Sequence, residues 1–482
     1  MRYTSNDSLV NAPHLNFAPR FGFAYSPTDK LVIRGGYGIF FGGLESLGYG
    51  PNIGQNVPFA ISDSIAQQTC SSPTNCTVPL TTLENGFAGL LQGNGALSTT
   101  NIVNPAVQSY GVSNKTPYTE SYNLSMQYAI SPTASVTVGY VGNVDLHLRI
   151  SNGTTDTYDG LLAPGTSYNQ YLPLGGGIPG IAGSSFGTYG LTSGRLVLDN
   201  GIGNYNALQS KFEKSTSKNL SFLATYTYSH ALDDARPPLG SYSGQAGYRL
   251  IQWLGAHYDY GTDLSDVRQR ATLNAHYALP LGSRQRFLNQ AGVLNEIVGG
   301  WETSLIFRVQ TGSPVDLVAS NTLGNGISYP IQVANPFASA GTVQNTKLGC
   351  ATATKTVTHW FNPCSFANPT SVTAANYNSL PLSSFYGNQG STTVVGPGYN
   401  RVDMSLFKNF ATLRESSLQF RADAFNLLNT PAHGQPAIQV AGGGGGINGQ
   451  IQNGLFGQIT NERFSGEQPD SRVIQFSMKL QF

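Results

Sequence analysis

Charged side chains and long hydrophobic runs are both scarce in this chain of 482 residues. Only 11 % of the residues are charged, whereas a soluble globular protein has roughly 25 %. The chain also lacks any run of about 18 apolar residues, the length that a transmembrane helix requires. Its net charge of +1 gives none of the basic excess that indicates nucleic-acid binding. A membrane structure built from strands remains, because a closed barrel satisfies its own backbone hydrogen bonds in lipid.

Motifs for secretion, catalysis and phosphate binding are also missing. Residues 1–17, MRYTSNDSLVNAPHLNF, lack the basic start and the apolar run of a secretion signal. Neither GxSxG nor HExxH occurs, and the glycine run at 441–449 lacks the GK[ST] of a phosphate loop. His230 lies close to Asp233 and Asp234 in TYSHALDD, which we interpret as a motif at the rim of a strand. We therefore expect neither catalytic activity nor a cofactor.

The sequence contains instead a regular alternation of apolar and polar residues. In residues 118–130 of PYTESYNLSMQYAI (117–130), one parity has six apolar residues out of seven, and the other has five polar residues out of six. The last segment, SRVIQFSMKLQF (471–482), alternates in the same way up to the final phenylalanine. Because side chains alternate faces along a strand, each segment predicts a strand with one apolar and one polar face.

Eleven segments of this kind follow one another along the chain, at 16–25, 31–41, 117–130, 135–143, 204–214, 220–230, 266–280, 301–310, 400–410, 416–428 and 471–482. Short connections alternate with long ones, which lie at 42–116, 150–203, 231–265, 311–398 and 429–471. Short turns on one side and long loops on the other are typical of outer-membrane barrels, with the long loops extracellular. The predicted fold class is all-β, an antiparallel transmembrane β-barrel of the outer-membrane type.

Charged residues of both signs fall on the polar parity of these strands. On the lipid side of a barrel an arginine would cost roughly 2–4 kcal/mol at mid-bilayer. We therefore expect a wet, salt-bridged inner wall that faces the lumen and serves mainly as scaffolding. The predicted wall residues are Arg34, Asp266, Arg268, Arg270, Glu302, Arg308, Arg401, Asp403, Arg421, Asp423 and Lys479.

The four cysteines form two local pairs in the sequence. Cys70 and Cys76 are six residues apart in CSSPTNC, and Cys350 and Cys364 flank ATATKTVTHWFNP. Their spacing does not match a zinc site, and no histidine cluster lies nearby. Two loop disulfides formed in an oxidising compartment are the favoured interpretation, and four free thiols are the alternative.

Two further features of the loops allow a binding role. Asp259, Asp263 and Asp266 in DYGTDLSD offer oxygen ligands for calcium, although the spacing does not fit an EF-hand and a solvated loop is the favoured interpretation. Loop aromatics suit either a sugar- or peptide-binding platform or the membrane interface. These aromatics are Tyr242, Trp253, Tyr258, Trp360 and Phe361.

Several segments of the chain, most of them predicted strands, resemble a known family. They include NFAPRFGFAYSPTDKLVIRGGYGIFF, NYNALQSKFEKSTSKNLSFLATYTYSHALDD, SDVRQRATLNAHYALP, HWFNPCSFANP, GPGYNRVDMSLFKNF, LQFRADAFNLLNTP and the terminal SRVIQFSMKLQF. As a set they resemble the C-terminal barrel of Oar-like TonB-dependent receptors, the receptors that carry an N-terminal carboxypeptidase-regulatory-like domain. The resemblance covers most of the strands and little of the long loops.

The resemblance implies a receptor of roughly 22 strands around a plugged lumen. Such receptors take up a large or scarce extracellular ligand across the outer membrane of Gram-negative-type bacteria, with energy relayed through TonB. It also implies that the alternating end of the chain is a signal for the barrel assembly machinery. The residues of this signal would be Phe476, Met478, Leu480 and Phe482.

The sequence departs from the complete receptor pattern in one respect. Eleven strands is an odd number, whereas bacterial single-chain barrels have an even one. A plug, a TonB box and the regulatory domain have no counterpart in residues 1–482. We therefore expect the chain to be about the C-terminal half of a receptor barrel. A surface barrel for adhesion or protein docking without active transport is the alternative function, and an outer-membrane enzyme is a third.

Overall fold

The computed structural model describes the strands and part of the connections between them. Within the described residues the regular secondary structure is almost entirely β, with one short α-helix and one 3₁₀ turn. The described residues are 15–42, 106–110, 115–151, 193–217, 219–234, 260–283, 285–289, 292–315, 317, 319, 330–337, 354–367, 369–370, 394–411, 416–437, 456–463 and 471–481.

The secondary-structure elements are named in chain order. The strands are β1 (Arg20–Thr28), β2 (Leu31–Phe41), β3 (Ala106–Tyr110), β4 (Tyr118–Ser131), β5 (Ala134–Ser151), β6 (Ser193–Ser217), β7 (Leu220–Asp233), β8 (Gly261–Thr262), β9 (Gln269–Ala278), β10 (Trp301–Gln310), β11 (Pro314–Val315), β12 (Ile331–Gln332), β13 (Phe366–Ala367), β14 (Val394–Val395), β15 (Tyr399–Ala411), β16 (Ser417–Phe425) and β17 (Val473–Gln481). The helix is α1 (Val293–Val298), and the 3₁₀ turn is Pro363–Ser365.

Eleven of these strands form one continuous antiparallel sheet. Their order follows the chain: β1-β2-β4-β5-β6-β7-β9-β10-β15-β16-β17. Each predicted segment corresponds to one strand of this sheet, so the all-β prediction and its eleven strands are confirmed. β1 and β17 are the two edges, and within the described part of the chain each pairs with a single neighbour. The sheet therefore does not close on itself among the described residues.

The apolar parity of the strands lies on one face of this sheet, which we call the outer face. Cross-strand pairing carries this face from strand to strand through the row Phe23, Gly35, Leu124, Tyr140, Leu208 and Tyr228. Large apolar side chains on it are exposed, up to 73 % for Met478. An apolar surface of this extent is unfavourable in water but suits contact with lipid acyl chains.

The polar parity lies on the opposite, inner face. One row of partners across it is Arg34, Ser125, Gly139, Gln209, Thr227, Arg270 and Gln310. The register places every predicted wall residue that lies within a strand on this face: Arg34, Arg270, Glu302, Arg308, Arg401, Asp403, Arg421, Asp423 and Lys479. The charges and the apolar surface thus lie on opposite sides of a single layer.

Strands β5 and β6 are longer than the alternation predicts. They contain 18 and 25 residues, and both enter the range 150–203 that the sequence assigns to a loop. Their ladder continues through a register shift at His147, whose φ of 58° is left-handed. β3 pairs with β6 in parallel near this end. This hairpin therefore extends farther on the long-loop side than the sequence pattern indicates.

The connections on the other side of the sheet are short, with one exception. Only two residues separate the strands of the hairpins β1–β2, β4–β5 and β6–β7. The connection from β9 to β10, residues 279–300, is longer and contains α1. No helix among the described residues is long and apolar enough to cross a membrane. The short connections correspond to the periplasmic turns of an outer-membrane barrel.

A small hydrophobic core lies among the long loops, outside the sheet. Its centre consists of Val315, Leu317, Phe361, Phe366, Val394 and Phe456. The two-stranded sheets β11–β14 and β12–β13 belong to the same region. Because Phe456 comes from the 429–471 loop and the others from the 311–398 loop, two long loops pack together into one unit, which we call the cap.

Candidate functional site: the charged inner wall

Arg401 and Asp403 form the most buried ion pair described on the inner face. Arg401 Nε donates to both carboxylate oxygens of Asp403, at 3.0 and 3.2 Å. The two side chains are 9 % and 19 % exposed. Asp403 Oδ1 also accepts the backbone N–H of Asn426 at 2.8 Å. These charge-assisted hydrogen bonds therefore tie β15 to the chain that leaves β16.

A second arginine–aspartate pair lies on the neighbouring strand. Arg421 Nε donates to the two oxygens of Asp423 at 2.7 and 2.9 Å. Ser405 Oγ donates to Asp423 Oδ1 at 2.5 Å and accepts from Arg421 Nη2 at 3.1 Å. In both pairs the arginine precedes the aspartate by two residues. Because residues i and i+2 of a strand lie on the same face, this spacing lets the two side chains meet.

A histidine joins this network nearer the short-turn side. His276 Nε2 lies 3.0 Å from Glu302 Oε2, and His276 Nδ1 lies 3.3 Å from Ser304 Oγ. The imidazole ring also stacks on Phe407, with ring centroids 5.9 Å apart. The spacing of the histidines does not single out His276, although His276 lies on the same parity as Arg270.

The sequence also did not single out two further polar contacts on the inner face. Lys211 Nζ lies 2.7 Å from Glu213 Oε2 on β6, and both side chains are nearly half exposed. Arg34 Nη1 donates to Gln127 Oε1 at 3.0 Å. Lys211 and Glu213 have the same parity as Gln209, which is the signal by which they could have been found.

Arg270 and Arg308 are exposed and have no ion-pair partner among the described residues. Arg308 lies directly opposite Arg401 in the ladder, and Arg401 is already paired with Asp403. Arg463, from a long loop, adds a further guanidinium; burial lowers its pKa, and so does the positive charge of Arg270. This part of the inner face is therefore a positive patch that favours contact with an anionic group.

Two residues predicted for the inner wall lie at the rim instead. β9 begins at Gln269, so Asp266 and Arg268 precede the strand. Asp266 Oδ1 accepts the backbone N–H of Ala231 at 2.9 Å, and Oδ2 lies 3.7 Å from Arg268 Nε and 3.6 Å from His230 Nδ1. Asp266 is 5 % exposed, so this carboxylate fixes the top of β7 against the start of β9.

Asp263 and Asp266 also belong to the calcium site that the sequence offers as an alternative. Asp263 Oδ1 accepts the backbone N–H of Ser265 at 2.6 Å and its hydroxyl at 2.5 Å. Asp259 lies outside the described residues. Within the described part of the chain, no three histidine, cysteine, aspartate or glutamate side chains are grouped as metal ligands. The carboxylates of Asp263 and Asp266 thus serve the chain's own donors.

One of the four cysteines lies among the described residues. Cys364 is disulfide-bonded and 7 % exposed, in a 3₁₀ turn where its N–H donates to Asn362 Oδ1 at 3.1 Å. Cys70, Cys76 and Cys350 lie outside the described residues. The pairing of Cys364 with Cys350, and that of Cys70 with Cys76, therefore stay predictions.

The loop aromatics that the structure describes have a structural role in the cap. Phe361 is fully buried, and its ring lies edge-on to Phe366 at 5.6 Å and to Phe456 at 4.9 Å. Trp360 Nε1 donates to the backbone oxygen of Val395 at 2.7 Å. Neither ring forms a free platform for a ligand. The other three loop aromatics, Tyr242, Trp253 and Tyr258, lie outside the described residues.

Polar residues on the outer face are bonded to tyrosines near the long-loop side. Tyr37 donates its hydroxyl to Glu120 Oε2 at 3.1 Å. Asn206 Oδ1 accepts the hydroxyls of Tyr122 at 3.0 Å and Tyr140 at 2.6 Å. Tyrosines with an apolar body and a polar tip are enriched where a membrane meets water. These contacts are consistent with a membrane boundary at this level of the sheet.

The terminal strand presents its apolar parity outward. Phe476, Met478 and Leu480 are 69 %, 73 % and 50 % exposed, and β17 pairs with β16 from Val473 to Gln481. Phe482 lies outside the described residues. The role of these residues as an assembly signal stays a prediction.

Comparison with known families agrees with this geometry. Residues 2–475 match a family model described as an outer membrane beta barrel domain. The chain belongs to the outer-membrane β-barrel domain family. The outer face of this β-barrel domain is therefore its lipid-facing surface, and the outer membrane is its location. A comparison with curated proteins gives no match.

Three solved structures that are similar to this outer-membrane barrel domain belong to much longer chains. The outer membrane transporter YddB from Escherichia coli has 10 % identity and a TM-score of 0.44, over 87 % of this chain and 38 % of that one. The ferripyoverdine receptor of the Pseudomonas aeruginosa outer membrane has 9 % identity and a TM-score of 0.36, over 96 % of this chain and 32 % of the receptor. The FrpB iron transporter from Neisseria meningitidis has 9 % identity and a TM-score of 0.37, over 96 % of this chain and 38 % of the transporter. The chain thus spans well under two thirds of each.

Proposed function

We propose that this chain forms the C-terminal part of the barrel of a TonB-dependent outer-membrane receptor that takes up an extracellular ligand. The observation that carries the proposal is the two-faced sheet, with apolar residues outward and ion pairs in register on the inner face. A charged wall of this kind suits a hydrated lumen or contact with a plug. The resemblance of the strand motifs to Oar-like receptors supports TonB dependence.

The strand count supports a barrel that includes further strands. A barrel of alternating strand directions closes with antiparallel pairing only when the strand number is even. The eleven strands of the sheet therefore require an odd number of additional strands between β17 and β1. A receptor barrel of roughly 22 strands leaves about eleven, and they would join at the edges of β1 and β17, which have no second neighbour among the described residues.

In this barrel the positive patch would contact an acidic surface of the plug. Arg270 and Arg308 project from the inner face without an ion-pair partner among the described residues. Carboxylates of a plug would supply counter-charges to these two arginines. Cross-linking between the positive patch and the plug in the complete receptor tests this contact. The absence of any cross-link from the patch to the plug would contradict it.

The end of the chain would serve as the recognition signal for the barrel assembly machinery. The exposed apolar row Phe476, Met478 and Leu480 leads to Phe482. Deletion of Phe482 is expected to lower the amount of heat-modifiable barrel in the outer membrane. An unchanged amount contradicts the signal role.

The uptake role is tested with the complete protein that contains this chain. Cells with and without the protein are grown in the same medium, each with intact or deleted TonB, and compounds removed from the medium are measured by mass spectrometry. We expect at least one compound to be depleted only when both the protein and TonB are present. Depletion that persists without TonB, or none at all, contradicts the proposal.

The packed cap favours a second function, a surface barrel used for adhesion or protein docking. Two long loops share a buried core that includes Phe361 and Phe456, so the cap offers a defined extracellular surface. An adhesin does not need energy from TonB. Attachment of cells that depends on the cap and survives deletion of TonB would support this function over uptake.

A further inference from the structure

The connection between β9 and β10 folds over the outer face of the sheet. Lys408 lies on the outer-face parity of β15, opposite Trp301 and Phe420 in the ladders. It is only 4 % exposed, because α1 covers it and its Nζ donates to the backbone oxygen of Glu296. A lysine on the lipid-facing side is therefore shielded by a segment of its own chain.

Aromatic rings complete the contact between the connection and the sheet. Trp301 Nε1 donates to the backbone oxygen of Ile297 at 2.9 Å. Lys408 Nζ lies 5.9 Å from the Trp301 ring and 4.8 Å from the Phe410 ring, and Trp301 lies edge-on to Phe420 at 6.2 Å. Cation–π and hydrogen-bonding contacts thus hold the end of α1 against the outer face.

The connection is also fixed internally. Asn295 Oδ1 accepts the backbone N–H of Ser283 at 2.5 Å, and Leu281 forms a bridge with Phe287. Gly282 has φ +107°, and a Cβ there would lie 2.6 Å from the Cα of Gly299. The segment therefore closes on itself as a compact clip, and we use that name for residues 279–300.

Four apolar side chains of the clip are exposed. Val293 is 78 % exposed, Ile297 62 %, Phe287 52 % and Leu288 51 %. Arg286 lies beside Phe287, with its guanidinium carbon 5.4 Å from the Phe287 ring centroid. Four exposed apolar residues on one connection, together with an arginine, are unfavourable in the aqueous periplasm but suit a phospholipid interface.

We propose that the clip is a membrane anchor that inserts Val293, Ile297, Phe287 and Leu288 into the periplasmic leaflet around the barrel. The position argues for lipid as the partner, because the clip is continuous with the outer face that already contacts the bilayer and lies on the short-turn side. Arg286 then reaches lipid phosphates, and Trp301 and Lys408 lie at interfacial depth. The anchor holds this side of the wall at a fixed height in the membrane.

The test measures the depth of the clip in a bilayer. The complete protein that contains this chain is reconstituted in phosphatidylethanolamine–phosphatidylglycerol vesicles whose acyl chains carry bromine either near the carbonyl or at the chain centre. Val293→Trp supplies the fluorophore, and its signal is the tryptophan fluorescence of the variant minus that of the wild type. Asn274→Trp, at an exposed position on the inner face, is the matched control. We expect the tryptophan at 293 to be quenched several-fold more than the one at 274, and more by the shallow bromines.

Three further variants keep the test decisive. If Val293→Trp does not assemble, Ile297→Trp replaces it with the same expectation. Lys408→Met removes the donor to Glu296 and is expected to lower the quenching at 293, whereas Lys479→Met on the inner face leaves it unchanged. Quenching at 293 and 297 that equals the inner-face control, with full access to aqueous iodide, would overturn the proposal and leave a periplasmic protein as the partner.

Discussion

At the scale of single residues, Asp403 is the carboxylate on which two strands depend. It binds Arg401 with both oxygens and also accepts the N–H of Asn426. Asp403→Asn keeps the shape but removes the negative charge that faces Arg401, which is 8 % exposed. We expect the free energy of unfolding in vesicles to fall by about 1–3 kcal/mol, since a mostly buried charge loses this charged partner.

Asp423→Asn is the matched control for this prediction, because it removes the same kind of carboxylate from the same kind of pair. The Arg421 side chain is 45 % exposed, so water can replace the lost interaction, and we expect a cost of about 1 kcal/mol or less. Urea titration of both variants gives the comparison. Equal losses in the two variants would show that burial does not govern these pairs.

The sequence predicted which face these charges occupy but not which groups they meet. A period of two places Arg401 and Asp403 on one face, and the structure agrees. The partners of Ser405 and Asn426 depend on the register between strands, which a single strand does not reveal. Lys408 and Glu120 break the pattern on the outer face, because α1 and Tyr37 supply polar partners for them.

At the scale of elements, the cap is the unit whose stability can be tested separately. Phe361 is fully buried and contacts Phe366 and Phe456. Phe361→Ala is expected to cost the cap about 3–5 kcal/mol, the range for deleting a buried phenylalanine. Because Phe456 belongs to the other loop, limited proteolysis should then cut both 311–398 and 429–471 more rapidly.

The control for the cap is Val357→Ala, which removes an apolar side chain that is 46 % exposed. It should leave the proteolysis rates close to those of the wild type. Faster cleavage of the 311–398 loop alone in Phe361→Ala would mean that the two loops fold independently, contrary to the shared core.

The alternation predicted the strands well because each one separates lipid from a polar interior. It failed for β5 and β6 beyond 143 and before 204, where the strands continue into the range expected as a loop. In these stretches apolar and polar residues do not alternate clearly, and the strands continue because β5 and β6 pair with each other. It also gave no sign of α1, since six residues are too few to show a helical period.

At the scale of the whole molecule, the account depends on a sheet that separates two solvents. The outer face would be unstable in water, and the inner face would be costly in lipid. The sequence supported this conclusion through low charge, alternating strands and segregated loops. Closure of the barrel, by contrast, depends on the partners of β1 and β17 and could not be read from this chain.

The most direct test of the central claim uses β10, because two neighbouring apolar residues of this strand lie on opposite faces of the sheet. Leu305 and Ile306 are both apolar, yet Leu305 is on the outer face and Ile306 is on the inner face beside Asp403. Spin labels placed singly at 303–308 in the complete protein, in outer-membrane lipid, report collisions with oxygen and with a water-soluble nickel chelate. We predict oxygen access at odd positions and lower oxygen access at even ones, including 306. Equal oxygen access at 305 and 306 would contradict a two-faced wall.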